Sequence, residues 1–274
     1  MVNTSKQFLE LAKDFQLGDL PTETFHKLTQ NLSFLAKNNL PQALEVLKLV
    51  DLEALQILNN EIKKLDLLHQ SIATTIKKNH KIYLCGCGAT GRLSLSLETF
   101  WRRKFAGTNL EEKVVSFMAG GDTALIKSIE KFEDFPEYGA RQLTELGFKE
   151  GDLLIACTEG GETPFVIGAT EKAVELSSVK PFFLYCNPDE ILCNVAKRSK
   201  RVIENLCIEK INFEIGPMAL AGSTRMQAST ILQLAIGLPL LSFQEEQSLM
   251  KEELSLLINW YKKFDLMQIK KLVE

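Results

Sequence analysis

The sequence has little excess charge of either sign. Its 32 Lys+Arg against 35 Asp+Glu leave a net charge of -3. A surface that grips duplex nucleic acid through its phosphates is therefore not expected, because that affinity needs a cationic excess. A small anion is not excluded, since free N–H groups at a helix N-terminus hold one without net positive charge. No apolar run approaches the ~20 residues of a membrane span, and Met1-Val2-Asn3-Thr4-Ser5-Lys6 lacks the charged and apolar regions of a signal peptide. The six cysteines (Cys85, Cys87, Cys157, Cys186, Cys193 and Cys207) form no Cys-x-x-Cys, and the three histidines, His26, His69 and His80, have no metal-type spacing with them. This usage points to buried, reduced thiols in a cytoplasmic protein, with no disulfide framework, metal site or cofactor. With 274 residues, 45% of them hydrophobic and 24% charged, the chain has the composition of a soluble globular protein of one large domain or two small ones.

Residues 6 to about 80 read as helical, with Leu44, Leu47, Val50, Leu55, Leu58, Ile62, Leu65 and Leu68 recurring mostly at threes and fours. Asn38-Asn39-Leu40-Pro41 marks a break with Pro41 suited to a first helical turn, and a second break is expected near Asp51. From Lys81 the pattern changes. Short apolar runs at 82–85, 114–118, 153–157 and 181–186, and a less apolar one at 209–215, alternate with helical stretches at 93–104, 124–131, about 137–146, from Pro164 and from about Ser223. Buried-type strands alternating with helices predict an α/β fold with a central parallel sheet covered on both faces. The turns that follow the strands hold the Gly, Ser, Thr and Asn residues, and in open α/β sheets ligands bind at that edge.

Gly86-Cys87-Gly88-Ala89-Thr90-Gly91 fits G-x-G-x-x-G between a strand and a helix. Glycines in such a turn let the backbone approach an anion while the helix N-terminus supplies free N–H groups. A dinucleotide-binding oxidoreductase is one reading. It wants an acidic residue roughly 20 residues on, and Asp122 lies further away. Thr90 and Arg92 suit a terminal phosphate better. A tight turn without a ligand is the plain alternative.

The turn and the following Arg92-Leu93 resemble the Gly-Ala-Gly-Thr-Ser-Gly-Arg-Leu turn of N-acetylmuramic acid 6-phosphate etherases, which belong to the sugar isomerase (SIS) fold. The resemblance continues in order through Met118-Ala119-Gly120-Gly121-Asp122, Glu133-Asp134, Thr163-Pro164-Phe165-Val166, Cys186-Asn187-Pro188 and Gly222-Ser223-Thr224-Arg225-Met226. The leading helices are also similar to those of the related glucokinase regulatory protein. The resemblance implies a three-layer αβα SIS fold: an N-terminal helical extension at 1–80, a phosphosugar-binding domain at 81–243, and a helical tail or linker at 244–274. In the tail, Leu249, Leu254, Leu257, Ile258 and Trp260 give a roughly helical apolar pattern.

The ligand set that the resemblance implies is Gly88, Ala89, Thr90, Glu133, Thr158, Glu159, Gly160, Glu162, Thr163, Ser223 and Thr224. Thr163, Ser223 and Thr224 read equally as helix N-caps, and Asp134-Phe135-Pro136-Glu137 as a capping box beside Glu133. Trp101 reads as a packing residue. An etherase of this kind removes lactate from a phosphorylated amino sugar with one carboxylate as base and another as acid. Glu133 stands at one of the family's two glutamate positions, but Phe100 occupies the other. Glu98 is two residues earlier and, at ~100° per residue, projects about 200° away. Glu162 replaces a family arginine, Glu159 is close by, and Gln227 replaces a lysine. Carboxylates there repel a phosphate unless they meet sugar hydroxyls or a cation. The regulatory protein also lacks the second glutamate. The expected function is therefore a sugar-phosphate-responsive binding or regulatory module. The alternatives are an etherase or sugar-phosphate isomerase with a rearranged acid. The expected partner is a sugar phosphate, with a homodimer or a second SIS domain, and neither nucleic acid nor membrane.

Overall fold

A computed structural model describes residues 4–6, 9, 17–127, 129 and 131–268. The N-terminal part of the expected helical stretch lies largely outside these residues. Strands β1 (Ile82–Gly86), β2 (Val114–Met118), β3 (Leu153–Cys157), β4 (Phe182–Tyr185) and β5 (Glu209–Asn212) form one sheet. All pairings are parallel and the order is β2-β1-β3-β4-β5. From residue 17 onward the helices are α1 (Leu32–Asn38), α2 (Leu40–Asn60), α3 (Asp66–Lys77), α4 (Gly88–Lys104), α5 (Thr123–Ile126), α6 (Pro136–Glu145), α7 (Pro164–Leu176), α8 (Asp189–Val195), α9 (Lys197–Ile203), α10 (Gln227–Leu241) and α11 (Ser248–Lys263).

The strands read as unbroken apolar runs because both faces of the sheet are covered. Ile82, Leu84, Leu153, Ile155 and Leu184 pack in one core with Leu58 of α2, Ile72 of α3, Leu97 of α4, Ile231 of α10 and Leu254 of α11. Tyr83, Cys85, Leu154, Ala156 and Phe183 face a second core with Leu143 of α6, Phe165 and Ala169 of α7, Leu192 of α8 and Val202 of α9. The three layers predicted from the strand–helix alternation are thus present. Among the described residues no helix is long and apolar enough to cross a membrane.

Local chemistry explains where most helices begin. The Asn39 side chain accepts from the Gln42 N–H and Pro41 sits in the first turn of α2, as the break at 38–41 predicted. The expected break near Asp51 is absent, and α2 runs through to Asn60. Asp51 is instead a tertiary acceptor. Its carboxylate takes the Gln227 side-chain amide at 2.6 Å and the Tyr261 hydroxyl at 2.6 Å, tying α2 to α10 and α11. In α11, Met250, Leu254 and Ile258 recur at fours and are buried, whereas Trp260 lies outside that stripe and is exposed. Trp101 is fully buried, its indole N–H donating to the Leu110 carbonyl at 2.7 Å, in the packing role expected of it.

Other expectations are corrected. The glycine turn is itself the first turn of α4, which therefore starts at Gly88 and not Leu93. A helix over 124–131 reduces to α5, because Lys127 is extended and Lys131 is left-handed at φ 74°. Strand β5 ends at Asn212, short of Ile215. No disulfide joins the six cysteines, but only Cys85, Cys157 and Cys186 are buried; Cys87 and Cys193 are half-buried and Cys207 is exposed.

Helix α4 folds back closely on β1. A Cβ added at Gly86 would sit 2.3 Å from the Thr90 carbonyl carbon, so backbone meets backbone with no side chain able to yield. Gly86→Ala is expected to cost about 2–3 kcal/mol, at the upper end of overpacking effects, or to prevent folding. A thermal melt followed by circular dichroism checks this, and a wild-type melting temperature would refute the close approach.

Candidate functional site

The chain leaves β1 for β2 on one side and returns to β3 on the other, so the order of the sheet reverses between β1 and β3. Beyond the carboxyl ends of two such strands the connecting turns diverge and leave a crevice. The turn after β1 and the turn after β3 flank this point, and most of the candidate residues lie on them.

After β1, the amides of Gly88, Ala89 and Thr90 open α4. First-turn N–H groups have no acceptor within a helix and can face an anion. The Thr90 side chain does not join them. It is buried, accepts from the Cys87 N–H at 2.9 Å and donates to the Cys87 carbonyl at 2.8 Å. Its hydroxyl therefore closes the turn. Arg92 is exposed, and its guanidinium donates to the carbonyls of Gly88 and Ala124 at 3.2 and 3.4 Å.

After β3, Thr158 is buried with its hydroxyl 2.8 Å from that of Thr163. Thr163 stands at the N-cap of α7 with Pro164 in the first turn, as expected, but its side chain makes no capping bond. Gly161 shapes this turn: its φ is +85°, and a Cβ there would lie 2.5 Å from a Leu192 methyl. The Gly160 carbonyl accepts from the Asn187 side-chain amide at 3.0 Å, and the same amide reaches the hydroxyl of buried Thr22 at 3.0 Å. Glu162 pairs with Arg198 of α9, whose Nε also donates to the Glu162 carbonyl at 2.6 Å. Burial lowers the Arg198 pKa and the Asp134 charge opposes that.

Glu133 is exposed on a short 3-10 turn, Phe132–Asp134, and its Oε2 accepts from the Cys87 thiol at 2.9 Å. Asp134 opens no capping box, since Phe135 precedes α6 without a side-chain cap. Glu159 is half-buried, with Oε1 accepting from the Ser229 hydroxyl of α10 at 2.8 Å. Burial raises its pKa, while the Ser229 hydrogen bond, its own backbone and the Arg225 charge pull the other way. Ser223 and Thr224 lie in turns ahead of α10, which begins at Gln227 with no side-chain cap, so neither starts the helix. Thr224 offers its carbonyl to the Ser229 N–H at 3.1 Å, and Ser223 offers its own to the Met226 N–H at 3.1 Å.

Residues 65–174 match the glucokinase regulatory protein N-terminal SIS domain family. The chain is also similar to curated N-acetylmuramic acid 6-phosphate etherases. That of Psychromonas ingrahamii is 29% identical over 76% of this chain and 68% of its own length. That of Aliivibrio fischeri is 28% identical over 74% and 66%. Over residues 65–174 the chain thus carries the likeness of an SIS domain. It spans about two thirds of the length of these relatives. A solved phosphoheptose isomerase from Francisella tularensis is similar at a TM-score of 0.49 and 16% identity, over 73% of this chain and 96% of that one.

The expected second carboxylate is missing in space as well as in sequence. Phe100 is half-exposed and lines a groove of about 490 Å³ with Leu97, Leu241 and Tyr261. Glu98 does not replace it. Its Oε2 accepts from the Ser116 N–H at 2.7 Å and from the Ser116 hydroxyl, and its Oε1 accepts from Arg102 at 2.8 Å. It is thereby held against the middle of β2, not at the carboxyl edge.

Three contributors escaped sequence reasoning: Cys87, Arg198 and Ser229. Arg198 and Ser229 reach the site from distant helices, and nothing local marks them. Cys87 left a signal, since it stands where the resembling turn has alanine. Burial pushes its thiol up, as do the hydrogen bond to Glu133 and the charges of Glu133 and Glu159, against a small opposing effect of the Gly88 amide. A raised thiol holds less thiolate, and thiolate is the reactive form. At pH 8 Cys87 should alkylate at least ~10-fold more slowly than exposed Cys207, and Glu133→Gln should speed Cys87 selectively. Peptide mass spectrometry after timed iodoacetamide treatment measures both; equal labelling of the two thiols would contradict the pairing.

Proposed function

We propose that this chain binds a phosphorylated amino sugar at the crevice between β1 and β3 and eliminates an ether substituent from it, in the manner of an etherase. The observation that carries the reading is Glu133 on the carboxyl edge, held by Cys87 beside the amides of Gly88 and Ala89. It is supported by similarity to etherases over three quarters of the chain. In this reading the phosphate is met by the α4 amides, with Thr163 and Thr158 across the turn, and Glu133 takes a proton from the carbon beside the carbonyl. Glu162, neutralised by Arg198, is left to accept sugar hydroxyls through what remains of its hydrogen-bonding capacity. Pairing with a second SIS domain, in another copy or another chain, belongs to the same proposal.

A second reading keeps one observation of its own. Phe100 stands where the resembling etherases carry a carboxylate, which favours a module that binds a sugar phosphate and responds to it without turnover. The two readings part in one experiment. Incubation with N-acetylmuramic acid 6-phosphate should release lactate, and Glu133→Gln should reduce the rate by ~10²–10⁴-fold, the usual contribution of a general base. A thermal shift with that compound but no lactate would leave only the binding module.

A further inference from the structure

Elimination across an ether needs a group that protonates the departing oxygen as well as one that takes the carbon-bound proton. Most carboxylates that could serve are already committed. Glu98 is held by Ser116 and Arg102, and Glu162 by Arg198. Asp189 accepts from the Tyr185 hydroxyl at 2.5 Å and from the Asn212 amide at 3.0 Å. Asp134 lies in the field of Arg198, and Asp122 is exposed beyond β2.

Glu159 differs from all of these. It leaves β3 at the reversal of strand order, between the glycine turn and the first turn of α10. Its main-chain carbonyl is fixed by the Cys186 N–H at 3.0 Å and its carboxyl by the Ser229 hydroxyl at 2.8 Å. Its charge raises the pKa of buried Cys157 and Cys186 and of half-buried Cys87, and the charge of Arg225, in the loop before α10, acts to lower that of Glu159 itself. Cys87 donates to Glu133 Oε2 at 2.9 Å and its pKa is also raised by the Glu159 charge, so two carboxyl groups act on one thiol, Glu133 exposed and Glu159 half-buried. Two carboxyl groups in unlike environments are what separate an acid from a base.

We propose that Glu159 is the proton donor of this site, acting opposite Glu133 and taking the place of the carboxylate lost at Phe100. The inference rests on the etherase reading above. Glu133 takes the proton from the carbon beside the carbonyl, and the freed electron pair forms a carbon–carbon double bond. The ether C–O bond breaks, and the departing oxygen keeps its electron pair and receives the Glu159 proton, leaving as the hydroxy acid. Water then adds across the double bond: its proton returns to Glu159 and its oxygen bonds the carbon that lost the ether, while Glu133 gives its proton back to the neighbouring carbon. Both side chains end as they began.

The test uses the whole chain with N-acetylmuramic acid 6-phosphate, following lactate release and, in deuterium oxide, exchange of the substrate's activated hydrogen by mass spectrometry. Glu159→Gln should lower kcat for lactate by ~10²–10⁴-fold with KM changed less than a few-fold, yet retain hydrogen exchange. Glu133→Gln should lose both. Glu159→Asp should recover part of the rate, because it keeps a proton to give. The wild-type rate should fall on an alkaline limb as Glu159 ionises, and that limb should vanish in Glu159→Gln. The fold control has its own sign. A carboxyl whose pKa is raised by folding adds stability below the ordinary carboxylate range and loses it as pH rises through the raised value. Glu159→Gln should therefore melt no lower than wild type at neutral pH. Wild-type lactate release by a folded Glu159→Gln would overturn the donor role and leave the etherase reading standing. Failure of the wild-type chain to release lactate or exchange hydrogen would overturn both.

Discussion

The site depends on β1 being paired on both sides. Its hydrogen bonds to β2 and β3 hold Ile82 through Cys85 rigidly in the middle of the sheet, so the turn that follows leaves from a fixed place. The Gly86 close approach then forces α4 to start at once, and the Thr90 hydroxyl locks the Cys87 backbone. The remaining features of the edge follow from this. Cys87 presents its thiol to Glu133, the α4 amides point past the strand end, and the β3 turn has only one side on which to meet them. The two apolar cores, one on each face, make the sheet stiff enough for such placement.

Charge at this edge is arranged by compensation. Glu162 stands where the resembling etherases have an arginine, which by itself would set a negative group beside the proposed anion site. Arg198 cancels it from α9, one layer away. The pair is partly buried, and a guanidinium that forks onto one residue's carboxylate and carbonyl is directional as well as attractive. Breaking one member alone therefore does more harm than the pair's net contribution suggests.

Much of the architecture was legible in the sequence because it is written in local terms. Leu153–Cys157 is apolar at every position since both faces are buried, and the glycine turn announces the strand-to-helix change by composition alone. What was not legible depends on residues far apart in the chain. Asp51 looks like a helix break, yet it lies within a helix because partners 176 and 210 residues away take its carboxylate. Thr90 looked like a ligand because hydroxyls suit phosphates, but the same hydroxyl suits the turn's own backbone. Asp134-Phe135-Pro136-Glu137 has the pattern of a capping box, while Phe135 and not Asp134 stands at the N-cap of α6, with no side-chain bond. Trp260 fits the tail's apolar count but not its buried stripe, whose spacing of four passes through Met250, Leu254 and Ile258.

In the proposed site, a near-neutral chain takes a phosphorylated ligand without the cations that the resembling etherases carry at 162 and 227. Gln227 does not stand in for a lysine's charge. It is buried, donates to Asp51 and accepts from the Ala219 N–H at 2.9 Å, so its work is to seat the loop before α10. With Glu162 neutralised and burial favouring the uncharged form of Glu159, neither added carboxyl needs to oppose an anion held over the α4 amides. An uncharged Glu159 is also a hydrogen-bond donor, which a carboxylate is not. In the proposed site, the carboxyl that opposes phosphate when charged and the group that supplies the missing proton when uncharged are thus one residue, Glu159.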